Sequence, residues 1–239
     1  MTETVRVVIQ ARMNSSRLPG KIMAPLAGRP LLAQVVARLE AAGHAAFKTG
    51  APMWEVLVAT STAPADDATE YFCRELGAAC FRGPEDDVLA RYVAAGESLA
   101  DDDLVVRATA DNPLYCPLRT AAIVAEHLRI GADYTCIESL SYVVPEVIRA
   151  GALRTMARLA IDAQHREHVT PYFRQTPGRF RVAPLPQTWQ GLRPDIRLTV
   201  DTRAELERMA WIFERLGADG PLFPLEDVYE LCDKALGKV

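Results

Sequence analysis

The segment VRVVIQARMNSSRLPGK, residues 5–21, decides how the rest of the chain is read. It opens with Val5–Ala11, an apolar run of strand length rich in β-branched residues, which suits a strand buried on both faces. It then turns polar at once. Arg12, Arg17 and Lys21 fall within ten residues, and no carboxylate lies among them. Asn14, Ser15, Ser16 and Gly20 add small hydrogen-bonding or conformationally permissive positions. A loop of this content at the C-terminal end of a strand suits a polyphosphate: amides and hydroxyls cradle the oxygens while Arg and Lys neutralise charge. Each charge-assisted contact contributes about 1.5–3 kcal/mol. Composition alone also fits a solvated basic loop, and it is the position after a first strand that favours the phosphate. The loop is not a Walker A motif, because Ile22 follows Lys21 and no glycine opens it, and the chain has no G-x-G-x-x-G.

Outward from this segment, strand-length apolar runs alternate with amphipathic stretches of helix length. Helices are predicted over Pro30–Ala42, Ala65–Leu76, Glu85–Leu99 and Pro117–Ile130, with Gly77 and Gly131 placed to end two of them in the left-handed conformation. Strands are predicted over Glu55–Thr60, Ala78–Phe81 and Leu104–Ala108. This β-α-β-α order predicts an α/β fold: a mostly parallel, Rossmann-like sheet in a three-layer α/β/α sandwich. Ligands of such sheets bind beyond the C-terminal strand ends. The second half is less regular. It holds a helix near Gly151–Asp162, the polar segment His165–Phe180, a late strand Ile196–Val200, a helix Arg203–Leu216 and a final helix Leu225–Leu236. One domain over residues 1–239 is expected, with an inserted substrate or dimer arm near residues 135–195.

Composition excludes several classes. The 239 residues are 49% hydrophobic and 24% charged with a net charge of -4, which excludes intrinsic disorder. No run of about 18 apolar residues offers a membrane span, and without a basic n-region, h-region and small-residue cleavage site no signal peptide is expected. A mildly acidic protein is a poor nucleic-acid binder. Five cysteines without a C-x-x-C pair suit reduced thiols of a cytoplasmic protein.

Two aspartates stand where carboxylates would face the basic loop. Asp111 ends the run LVVRATAD before Asn112-Pro113, and Asp201 follows IRLTV. One carboxylate from each of two strand ends suits Mg²⁺, which takes few protein oxygens and leaves the other positions to water and phosphate. Asp111 could equally cap a turn, and Asp201 could cap the helix from Arg203. Asp101-Asp102-Asp103 lies before its strand, at the opposite end of the sheet, and reads as a solvated loop. His165 and His168 lack a third ligand and an H-E-x-x-H spacing. Arg82, Asp86, Asp87 and Arg91 form a dense polar block that also fits a capped helix start with an Asp87–Arg91 pair. Arg107 within its strand could face the crevice or pair with a buried acid.

The run IQARMNSSRLPGK resembles the N-terminal signature of the cytidylyltransferases that activate sugar acids as CMP-sugars, most closely the spore-coat polysaccharide biosynthesis subgroup. VATST with Asp66-Asp67, FRGPEDDVLARY, VRATADNP, HREHVTPY and LTVDTRAEL look like further blocks of that family in the expected order. The resemblance implies the nucleotide-diphospho-sugar transferase fold and a Mg²⁺-dependent transfer of CMP from CTP to a sugar acid, with release of pyrophosphate. It implies Arg12, Arg17 and Lys21 as catalytic cations, and Asp111 and Asp201 as metal ligands. Nucleotide contacts would come from Ala11, Arg12, Asn14, Ser15, Ser16, Arg17, Lys21, Thr60, Thr109 and Ala110. Arg82, Asp86 and Asp87 would lie beside the base, and Arg107, Asn112, Arg166 and His168 beside the acceptor. A homodimer is expected. The alternatives are a nucleotidylyltransferase for a sugar phosphate or phosphonate, a glycosyltransferase on the related fold, and an inactive nucleotide-sensing protein.

Overall fold

A computed structural model describes residues 3–51, 54–138, 142–217, 220 and 222–235. In chain order the strands are β1 (Val5–Gln10), β2 (Pro25–Leu26), β3 (Arg29–Pro30), β4 (Glu55–Ser61), β5 (Ala79–Gly83), β6 (Leu104–Thr109), β7 (Tyr134–Ile137), β8 (Glu146–Arg149) and β9 (Val182–Leu185). The α-helices are α1 (Leu31–Lys48), α2 (Asp67–Leu76), α3 (Val88–Ala95), α4 (Pro117–Ile130), α5 (Ala150–Leu159), α6 (Ala163–His168), α7 (Pro171–Gln175), α8 (Arg203–Leu216) and α9 (Leu225–Ala235). Seven strands form one sheet in the order β5-β4-β1-β6-β8-β7-β9, and β2 and β3 form a small separate ribbon. β5, β4, β1 and β6 run parallel, while β8 is antiparallel to both of its neighbours. This is the mostly parallel α/β sheet predicted.

Alternation along β1 explains the layers. Val7 and Ile9 join one apolar cluster with residues of α1, α4, α8 and α9, while Val8 joins a second with residues of α3 and α5. Successive side chains of a strand point to opposite faces, so one six-residue strand anchors both helical layers. From β1 the chain moves to β4 and β5 on one side, then returns to β6 on the other. That reversal makes the C-terminal ends of β1 and β6 a switch point, where a crevice opens.

Several boundaries differ from expectation. α1 runs on past Ala42 to Lys48 because Gly43, inside it, packs on Trp54, where a Cβ would meet Trp54 Cβ at 3.0 Å. The helix predicted from Glu85 starts at Val88, because the Asp87 carboxylate caps it by accepting from the Ala90 amide at 2.9 Å. Asp86 and Asp87 thus stand before the helix, not inside it. Residues 196–200 form no strand. They hang from the turn after β6 by the Val200 amide, which donates to the Asp111 carbonyl at 2.9 Å. The segment 135–195 does not stand off as a separate arm over its whole length, since it holds β8 and β9 and most of β7, all members of the main sheet. Leu236, the predicted end of α9, lies outside the described residues.

Candidate active site

The loop after β1 turns back on itself through the Ser15 and Gly20 amides, both of which donate to the Met13 carbonyl at 2.9 Å. Gly20 adopts φ 72°, a left-handed conformation that glycine takes without steric cost. This turn starts a short 3₁₀ segment, Lys21–Met23, and drives the Lys21 side chain inward. The ammonium donates to Asp111 Oδ2 at 3.1 Å, Asp201 Oδ1 at 2.9 Å and the Val200 carbonyl at 2.7 Å. All three of its protons are therefore used. Arg17 reaches Asp201 Oδ1 at 2.9 Å, and Arg197 reaches Asp201 Oδ2 at 3.1 Å. Arg17 and Lys21, which lack a carboxylate in their own segment, gain carboxylates from distant elements. Burial pushes the Asp201 carboxyl up, but the hydrogen bond and charge of Lys21, with Arg17 and Arg197, outweigh it and hold the group below the usual carboxylate range.

Asp201 does not cap α8. The Thr202 hydroxyl accepts from the Glu205 amide, and the Glu205 carboxylate accepts from the Thr202 amide in return, forming a capping box. The Asp201 carboxylate is thereby left to the cleft. Asp111 and Asp201 converge on one cation position, now marked by the Lys21 ammonium. Among the described residues no cluster of three metal-ligating side chains exists. A hard dication here would take two carboxylate oxygens and complete its shell from phosphate and water, the arrangement Mg²⁺ favours. The donor set fits.

Two cavities of about 300 and 430 Å³ share Arg107, Thr109, Asp111, His168 and Asp201 and form one cleft. The smaller gathers Ala11, Arg12, Ser15, Ser16, Arg17, Lys21 and Ala110 from the predicted set, together with Gln10 and Glu167. The larger adds Asn112, held by its amide on Thr109 Oγ1 at 3.0 Å. It also contains Glu146, Thr170, Arg174 and Arg197, which sequence reasoning missed.

Glu146 organises that larger cavity. Arg107 Nη1 donates to its carboxylate at 2.6 Å and Thr170 Oγ1 at 3.2 Å; the Tyr134 hydroxyl donates to it as well, and Arg174 pairs with it at 3.3 Å. Burial pushes the Glu146 carboxyl up, yet Arg107, Tyr134 and Arg174 hold it ionised and below its ordinary value. Arg107 lines the cleft and pairs with an acid, Glu146, that is half-buried rather than fully buried. Thr170 and His168 flank Val169, which sits at φ 65°, ψ -72° in a γ-turn closed by the Thr170 amide on the His168 carbonyl at 2.8 Å. A β-branched residue in that region is strained, by about 1–3 kcal/mol, and here the turn sets two neighbouring side chains against one cavity.

Other predicted residues are not brought into this cleft. Arg82 is used up elsewhere: it pairs with Asp67 and Glu70 and donates to the Ser61 and Ala63 carbonyls. Asp87 caps α3 and binds Arg166, and Arg166 also donates to the Ala157 and Ala160 carbonyls at the end of α5. That clamp between α3 and α5 holds Arg166 away from the cleft and takes the Asp87 carboxylate from the alternative Asp87–Arg91 pair. Asp86 is exposed, and Asn14 is exposed and bonded to Glu85 at 3.0 Å. Thr60 is buried at the end of β4. His165 bonds Gln175 at 2.6 Å, away from the cleft. Asp103 accepts from the Thr4 and Ala100 amides, a loop at the opposite sheet end as expected. The cysteines are free thiols, four of them buried and Cys80 half-buried. A polar signal for Glu146 did exist, as a lone carboxylate within the apolar run VVPEVI.

A family model described as cytidylyltransferase matches residues 6–227. The chain is 34% identical over 212 residues to the spore coat polysaccharide biosynthesis protein SpsF of Bacillus subtilis, across 88% of this chain and 86% of that one. It is 32% identical over 181 residues to the 3-deoxy-manno-octulosonate cytidylyltransferase of Halorhodospira halophila, across 74% and 63%. Among solved structures, a cytidylyltransferase from Leptospira borgpetersenii matches with a TM-score of 0.85 and 26% identity over 98% of this chain and 96% of that one. The CMP:2-keto-3-deoxy-manno-octonic acid synthetase complexed with CTP shares the fold, with a TM-score of 0.64 and 16% identity over 89% and 99%. No helix among the described residues is long and apolar enough to cross a membrane.

Proposed function

This chain belongs to the cytidylyltransferase family, and on that premise we propose that it transfers CMP from CTP to a sugar acid and releases pyrophosphate. The observation that carries the reading is the Lys21 ammonium shared between Asp111 and Asp201 at the edge of the basic loop. It supports a site built for a cation next to phosphate.

In this reading the triphosphate lies along residues 11–17, where Arg12 and Arg17 neutralise its charge. The acceptor occupies the larger cavity, where Arg174, Arg197 and His168 supply positive or hydrogen-bonding groups for a carboxylate. Its hydroxyl attacks the α-phosphorus in line; a P–O bond forms, the bond to the β-phosphate breaks, and pyrophosphate leaves. The protein contributes position and charge more than covalent chemistry. Asp111 and Asp201 would hold Mg²⁺, which when bound supplies charge neutralisation and phosphate orientation. With those carboxylates so occupied, the Lys21 ammonium would be free to offset charge on the leaving oxygens. The proposed setting is a cytoplasmic homodimer making an activated sugar for a surface polysaccharide.

A pyrophosphate-release screen tests this, with CTP, UTP, ATP and GTP against sugar acids, sugar phosphates and phosphonates. Release with CTP and a sugar acid is expected. Turnover confined to sugar phosphates or phosphonates would move the chain to the alternative acceptors, and no release with any pair would refute catalysis.

A further inference from the structure

Arg91 is fully buried on α3, and none of its three guanidinium nitrogens has a hydrogen-bond partner. A buried guanidinium normally pairs with a carboxylate or a fan of carbonyls, because an uncompensated buried charge is costly. Arg38, equally buried, shows the usual solution by donating to the Tyr115 and Phe223 carbonyls. Arg91 could have paired with Asp87 one turn earlier, but Arg166 takes that carboxylate. Burial holds the Arg91 guanidinium below its usual range and Arg12 opposes its charge, outweighing the favourable charges of Tyr92, Asp66 and Glu85.

Its place in the fold says what it waits for. The Arg91 stem lies against Gly83 at the C-terminal end of β5, where an added Cβ would stand 3.1 Å from Arg91 Cγ. β5, β4 and β1 are adjacent, so Arg91 lies on the far side of the phosphate loop from the acceptor cavity. Two more buried oxygens without partners, Gln10 Oε1 and Thr60 Oγ1, belong to the ends of β1 and β4. With the acceptor on the β6 and β8 side and the phosphates after β1, the nucleoside must extend toward β4 and β5. This step rests on the proposed function above.

We propose that Arg91 is the residue that selects the base, donating two parallel N–H groups to the adjacent O2 and N3 acceptors of cytosine. Uracil presents an N3–H donor at the second position, so the same fork would meet one acceptor and one donor. The exposed Asn14–Glu85 bond, which joins the phosphate loop to the β5–α3 connection, has to yield as the base enters. Arg91 is thus left unpaired in the free protein and paired in the complex.

Titration calorimetry with CTP and with UTP, without acceptor, tests this on Arg91→Met and Arg91→Lys, alongside thermal unfolding of the free proteins. Arg91→Met is expected to melt at or above the wild-type temperature, because an orphan charge is replaced by an apolar chain of similar length. Its CTP affinity should fall by about tenfold or more, and most of the preference over UTP should go. Arg91→Lys keeps the charge but not the fork, so it should recover affinity without recovering the preference. Retention of CTP affinity and preference within about twofold in Arg91→Met would overturn the proposal. So would a wild-type preference in Arg91→Lys, which also decides the matter if Arg91→Met does not fold. If the wild-type chain binds no CTP, the proposed function fails and this inference with it.

Discussion

Lys21 and Asp201 lie 180 residues apart in the chain, and the Lys21 ammonium donates to Asp201 Oδ1 at 2.9 Å. This contact closes the cleft's electrostatic circuit. It draws the segment carrying Asp201 against β1 and places the ammonium where two carboxylates would receive a dication.

Replacing Lys21 by Met should therefore act twice. Turnover should fall by about 100-fold or more, as expected when a preorganised charge at a transferring phosphate is removed. The free protein should lose about 1–3 kcal/mol, because Asp111 and Asp201 face each other without their shared cation. Millimolar Mg²⁺ or Mn²⁺ should return much of that stability to the variant and little to the wild type. Pyrophosphate release and thermal unfolding with and without metal measure both, and near-normal turnover would remove Lys21 from the phosphate site.

Asp111→Asn should abolish metal-dependent activity while leaving a folded protein, since Asp111 anchors the 196–201 segment through its backbone carbonyl rather than its carboxylate. EDTA should silence the wild type in the same assay. Metal titration of the variant decides it: an unchanged metal optimum would count against the ligand role.

Arg174→Ala should raise the KM for the acceptor by about tenfold, the worth of one good charge-assisted hydrogen bond, and leave the KM for CTP near its wild-type value. Arg174 lines the larger cavity, where the acceptor is proposed to sit, with 43% of its side chain exposed, so the truncation opens no hole in the core. An equal rise in both KM values would place Arg174 outside the acceptor cavity's chemistry.

His127 should make the fold acid-sensitive. Burial, with Arg149 adding to it, pushes the buried His127 imidazole down to about 4. In the unfolded chain it titrates at about 6.5. Between those values the unfolded state binds a proton that the native state refuses, so stability falls as pH drops through the window and levels off below it. The loss reaches about 3 kcal/mol at most. His127→Gln should flatten the unfolding free energy between about pH 6.5 and 4, and identical pH slopes for variant and wild type would disprove the assignment.

Much of the architecture was legible because it depends on local rules. β1 ends where apolar residues give way to cations, Gly77 and Gly131 end their helices at positive φ as predicted, and Pro117–Ile130 and Arg203–Leu216 match their predicted spans. Asp111 and Asp201 were found because each follows an apolar strand-like run. Asp201 as a helix cap was the reading that failed, for Thr202 one residue later forms the capping box with Glu205.

What stayed illegible depends on partners distant in sequence. Arg82, Arg107, Arg166 and Arg174 are equivalent as letters. Only packing decides that Arg166 spends itself on Asp87, that Arg107 and Arg174 hold Glu146 in the cleft, and that Arg91 is left without a partner. Val169 carries no sequence signal for its γ-turn, because a β-branched residue disfavours that conformation and is held there by its surroundings. The sequence by itself determined the α/β order, the basic loop after β1 and the two aspartates that follow apolar runs, since hydrophobic period, turn residues and local charge are properties of neighbours along the chain. The tertiary structure alone decided which charges meet, because an ion pair takes its strength from distance and burial, and both are set by the fold.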